Sequence, residues 1–64
     1  MKIVEIDGYP WTADVITIDE TTNFLVLVNP KKYNYSTRNY DSIPYSRIAV
    51  PLTRVVRILE VDDA

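Results

Sequence analysis

No cysteine and no histidine occur in this chain, and it has a single glycine. Without cysteine there is no disulfide framework, so an oxidising compartment is not implied. Without cysteine or histidine the usual zinc ligands are missing, and carboxylates alone seldom build a structural metal site. The same absences remove the common nucleophile–base pairs of covalent catalysis, and no glycine-rich loop is present to cradle phosphate. The remaining acids and bases are carboxylates, Lys2, Lys31, Lys32 and tyrosines, and the adjacent pairs Asp19-Glu20 and Asp62-Asp63 fall in a turn and a tail. A chain this small also offers little concavity to exclude water from a reaction. The expectation is a protein that is not an enzyme, with no catalytic residue, cofactor or metal.

Long apolar runs are missing too. The longest, Phe24 to Val28, is five residues, against the roughly 20 of a membrane span. Glu5 and Asp7 interrupt the stretch where a signal peptide needs an apolar core. These features point to a cytoplasmic protein without membrane attachment. Amphipathic helices of useful length and internal repeats are absent from the pattern as well.

What is present is β-structure. The 64 residues make one domain, 1–64, and a chain of that length buries only about 60% of its unfolded surface. Lys2 to Asp7 is rich in β-branched residues and reads as a first strand. Asp7-Gly8 is a turn signal, with Gly8 supplying a positive φ. Tyr9 to Val28 reads as one long β-hairpin about a turn at Glu20-Thr21-Thr22-Asn23, where Asn23 takes the left-handed conformation. Pro10 cannot donate to a ladder, so pairing is expected from Trp11 onward. The Trp11/Ala13 face gives way to the Ile16/Ile18 face in mid-strand, which predicts a β-bulge near Val15. Asn29 to Ser42 has no buried aliphatic candidate and reads as one long polar loop. Ile43 to Val50 returns to alternation, Pro51 to Arg54 forms a single 3-10 turn, and Val55 to Val61 is the last strand. Residues 62–64 are expected to fray.

Five short strands, a long hairpin and a one-turn helix before the last strand resemble the SH3-like barrel, in particular its Tudor-type branch. Gly8-Tyr9-Pro10-Trp11 also resembles the opening of a PWWP domain. That family continues with a second tryptophan and a proline, where this chain has Thr12 and Ala13. The second tryptophan helps form the family's methyl-lysine cage, so the resemblance implies the fold and not the ligand. The predicted fold class is therefore all-β, a small five-stranded SH3-like barrel.

Charge and aromatic residues mark the candidate surface. Residues 1–30 carry Lys2 against five carboxylates, a net −4; residues 31–57 carry six cations against Asp41, a net +5; residues 58–64 carry three carboxylates. Within the cationic block lie Lys31, Lys32, Tyr33, Tyr35, Arg38, Tyr40, Tyr45 and Arg47. Tyrosine and arginine are enriched at protein interfaces. The same mixture stacks on bases and neutralises phosphate, so a single-strand or RNA platform is the alternative. The overall charge of −2 weighs toward a protein partner. Tyr9 and Trp11 are candidates for an aromatic pocket. Apolar residues on both faces of Phe24–Val28 and Val55–Val61 exceed one small core, and a homodimer or a self-assembling structural subunit would hide the excess. So small a chain fits an accessory factor or inhibitor of a larger assembly, of the kind phage and mobile elements encode.

Overall fold

In the computed structural model, which describes residues 1–62, eight strands form two antiparallel sheets. They are β1 (Lys2–Ile6), β2 (Tyr9–Thr12), β3 (Val15–Asp19), β4 (Phe24–Val28), β5 (Lys31–Asn34), β6 (Asn39–Ser42), β7 (Arg47–Pro51) and β8 (Val55–Glu60), with a 3-10 turn at Leu52–Arg54 before β8. The larger sheet has the order β6-β5-β2-β1-β8 and the smaller β3-β4-β7. The all-β class and the 3-10 turn agree with expectation. The five-strand count and the barrel do not, because the sheets stay separate and open-edged. No helix among the described residues is long and apolar enough to cross a membrane.

Local turn chemistry explains where the strands reverse. Asp7 and Gly8, at φ 53° and 87°, join β1 to β2 with Ile6 facing Tyr9. Two successive residues at positive φ are what a type I′ turn requires, and Asp-Gly is a favoured pair for it. The β3–β4 turn places Asn23 at φ 58°, and its N–H donates to the Asp19 carbonyl at 2.8 Å. The Asp19 side chain accepts from the Thr21 N–H at 3.0 Å. The 3-10 turn bridges both hairpins: Leu52 N–H donates to the Asn23 carbonyl at 3.0 Å, and Asp7 N–H donates to the Arg54 carbonyl at 2.9 Å.

The expected long hairpin is broken in its first arm. Ala13 and Asp14 separate β2 from β3, which belong to different sheets. The change of face along residues 11–18 is thus a change of sheet, and not a bulge near Val15. The register irregularity lies instead in the β1–β8 pair: Glu5 faces Arg57 and Ile6 faces Val55. That leaves Val56 as the extra residue, 65% exposed, and accounts for the adjacent apolar pair at Val55-Val56. Pro10 does pair with β1, opposite Glu5, while the ladder to β5 starts at Trp11. The missing N–H therefore falls where no β5 bond is needed.

The core lies where the two sheets face each other. Val4 and Ile6 of β1 meet Leu25 and Leu27 of β4 and Val50 of β7, with Trp11, Ala13, Ile16, Ile48, Leu52 and Val55 packed around them. Asn29 and Pro30 return the chain to the larger sheet, and Pro30 is among the most fully buried residues. Asn29–Ser42 is consequently not a loop without buried residues: Pro30 anchors it, and Lys31–Ser42 is a paired hairpin. At the other end Met1 and Val61 exchange backbone hydrogen bonds at 2.7 Å, so Val61 is held. Of the tail expected to fray, residues 63 and 64 lie outside the described residues.

Candidate binding groove on the β5–β6 hairpin

The β5–β6 hairpin is built from polar residues, and its own contacts hold it. Asn34 Oδ1 accepts from the N–H groups of Ser36 and Thr37 at 2.9 and 3.4 Å, an Asx-type turn. Arg38 N–H donates to the Asn34 carbonyl at 2.7 Å, which requires Arg38 to sit at φ 59°. Asn34 Nδ2 then reaches across to Asp41 Oδ2 at 2.9 Å. Tyr33 faces Tyr40 in register, with ring centroids 5.1 Å apart and an edge-to-face tilt of 66°. Tyr35 packs edge-on against Tyr33 at 4.9 Å. Such pairs contribute roughly 0.5–1.5 kcal/mol beyond their burial. Burial, and secondarily Tyr33 and Tyr35, push the Tyr40 phenol above its ordinary value of 10.0.

One cross-strand row shows how the hairpin relates to the core. Ile58, Val4, Trp11, Lys32 and Asp41 face one another in sequence across β8, β1, β2, β5 and β6. Val4 is wholly buried, Trp11 is half-buried, and Lys32 and Asp41 are exposed. The core-facing side of the larger sheet thus runs out from beneath the smaller one. No residue of β5 or β6 joins the core cluster. On this uncovered side lies a shallow groove of about 470 Å³, lined by Tyr9, Lys32, Tyr35, Asp41, Ser42 and Ile43 among others. The Lys32 ammonium lies 5.1 Å from the Tyr9 ring centre and 5.7 Å from that of Trp11. The aromatic pair singled out from the sequence is therefore faced by the chain's own cation. Thr12 is buried and donates its hydroxyl to the Lys2 carbonyl at 2.9 Å.

The structure brings together Lys31, Lys32, Tyr33, Tyr35, Arg38 and Tyr40 on this hairpin, with Tyr9 and Trp11 beside Lys32. Tyr45 is 65% exposed on the β6–β7 connection, and Arg47 opens β7 in the other sheet opposite Val28; neither lines the groove. Asn34, Ser36, Asp41, Ser42 and Ile43 also line it, and none of them is among the candidates that composition and charge single out. The alternation of Lys32 with Asn34, and the Asn34–Asp41 pairing it allows, are the signals that could have located them. Comparison with protein-family models, with curated proteins and with solved structures finds no match to this chain.

Proposed function

We propose that this protein is a small non-enzymatic binding module, an accessory factor or inhibitor acting by protein–protein contact, and that the β5–β6 hairpin is its contact surface. The observation that carries this reading is the emergence of the core-facing row into solvent at Lys32 and Asp41, flanked by Tyr9 and Tyr35 and forming a groove. Exposed tyrosine beside cations on a self-braced hairpin suits a protein partner with acidic and apolar side chains. A base-stacking platform is less well served, because Tyr33 and Tyr40 pack on each other. Kinship with SH3-like domains is supported by Gly8-Tyr9-Pro10-Trp11 and by the 3-10 turn directly before the last strand. Thr12, buried and bonded to Lys2, offers no wall for a methyl-lysine cage.

The test is capture of a partner from the native host with the wild-type chain and with a Lys32→Glu, Arg38→Glu, Tyr35→Ala variant whose fold is verified by circular dichroism. The reading predicts a co-purifying protein that the variant loses. Undiminished capture by the variant contradicts it. Anisotropy titrations with single-stranded and duplex oligonucleotides at two salt concentrations give flat curves under this reading. Salt-dependent binding would replace it with the nucleic-acid reading.

A further inference from the structure

The sheet edges are not equivalent. Four strands have an open side: β6 and β8 in the larger sheet, β3 and β7 in the smaller. Proteins blunt such edges with charge, proline or bulges, since unpaired backbone groups recruit another strand. β6 carries Asp41, β7 begins with Arg47 and ends with Pro51, and β8 carries Arg57, Glu60 and the extra residue Val56. β3 has none of these devices over Val15-Ile16-Thr17-Ile18, and its first charge is Asp19 at the end. All four of those residues are β-branched, which favours extended pairing. Val15 is 49% and Ile18 50% exposed.

Ile18 decides what kind of strand this edge accepts. It shares a row with Leu25 and Val50, both of them core residues. The hydrophobic row thus ends in a half-exposed isoleucine. The next row, Ile16–Leu27–Ile48, ends the same way with Ile16 half-buried. An incoming strand must supply apolar side chains on the core side at these two positions and an unblocked backbone edge. A second copy of β3 does so. In a two-fold antiparallel pair, residues directly opposite share a face, so the axis must pass through a residue and not between two. Placed at Thr17, it pairs all five residues of the strand: Thr17 with Thr17, Ile16 with Ile18 twice, and Val15 with Asp19 twice. Asp19 of one copy meets Val15 of the other, and no like charges oppose within the strand.

We propose that the chain associates with a second copy through antiparallel β3–β3 pairing about Thr17, which joins the two small sheets into one six-stranded sheet. The pairing extends each core row across the seam. A five-residue edge buries less than the roughly 800 Å² per partner of a standard interface, so the dimer is weak and concentration-dependent. Asp14 of one copy approaches Glu20 of the other at each end of the seam, so added salt strengthens the association.

Sedimentation of the purified chain between roughly 10 μM and 1 mM tests this, beside Thr17→Lys, which sets two ammonium groups against each other on the axis. Thr17 is exposed, so the variant keeps its fold, which circular dichroism verifies. The wild-type mass rises toward twice the monomer while Thr17→Lys stays monomeric. Because the chain has no cysteine, oxidised Thr17→Cys gives a covalent dimer, and Thr22→Cys on the turn does not. A constant monomer mass for the wild type, or a dimer that survives Thr17→Lys, overturns the proposal. A dimer that Thr17→Cys fails to cross-link overturns the placement of its axis.

Discussion

Asn29 donates its side-chain amide to the Asp14 carboxylate at 2.9 Å, and the two residues occupy the first two of the four connections at which the chain passes from one sheet to the other. Asp14 N–H also bonds the Val28 carbonyl at 2.9 Å, and Asn29 N–H bonds the Ser46 carbonyl at 2.8 Å. Asn29 turns its corner at φ 51°, a conformation asparagine tolerates better than most residues. Asn29→Ala loses both the bond and the tolerance, whereas Asp14→Ala loses the bond alone. We expect costs of about 2 and about 1 kcal/mol respectively in urea unfolding. Equal costs would show that the backbone conformation at residue 29 contributes nothing.

Arg38 occupies the same left-handed position in the β5–β6 turn that Asn23 fills in the β3–β4 turn, at φ 59° against 58°. Arginine lacks the short polar side chain that eases this conformation. Arg38→Asn is therefore predicted to stabilise the protein by roughly 0.5–1 kcal/mol in thermal or urea unfolding. A loss of stability would mean that the arginine side chain makes a contact worth more than the strain.

Asp7 and Arg54 are joined twice, by the backbone bond already described and by side chains, with Arg54 Nε 3.0 Å from Asp7 Oδ2. The hydrogen bond from Arg54 holds the Asp7 carboxyl below its ordinary value of 3.8. A depressed folded-state value means that the unfolded chain takes up the proton first as pH falls. The contribution of this pair is then present above pH 3.8 and lost as pH falls through the folded value, which lies lower. The melting temperature of Asp7→Asn should accordingly fall less steeply than wild type below that pH. Parallel acid limbs would contradict the role assigned to the pair.

Tyr40 gives the opposite limb. Its raised value keeps the phenol neutral in the folded state above pH 10.0, while unfolded tyrosine ionises there. Its contribution is thus fully present below that pH and lost as pH rises through the folded value. Absorbance titration should show a late-ionising tyrosine that Tyr40→Phe removes. A late component that persists in the variant would assign it to another ring.

Local chemistry made some features legible from sequence. Asp7-Gly8, Glu20–Asn23 and Pro51–Arg54 each encode their geometry within a few residues, and all three stand in the structure. The division into two sheets was hidden because it depends on contacts fourteen or more residues apart, between Asp14 and Val28–Asn29 and between Asn29 and Ser46. The β5–β6 hairpin was hidden for a different reason. Neither of its faces enters the core, so no apolar alternation marks it, and a Tyr33–Tyr40 pair leaves no periodic trace. The candidate residues were legible as a composition, but their division was not: Arg47 went to the other sheet once residues 31–42 formed their own hairpin.

Amide hydrogen exchange on the protein alone and bound to its co-purified partner tests the assignment of the working surface most directly. Added protection is expected at residues 31–43 and around Tyr9, with β4 and β7 unchanged. Protection gained on the smaller sheet, with the β5–β6 hairpin unaffected, would contradict it.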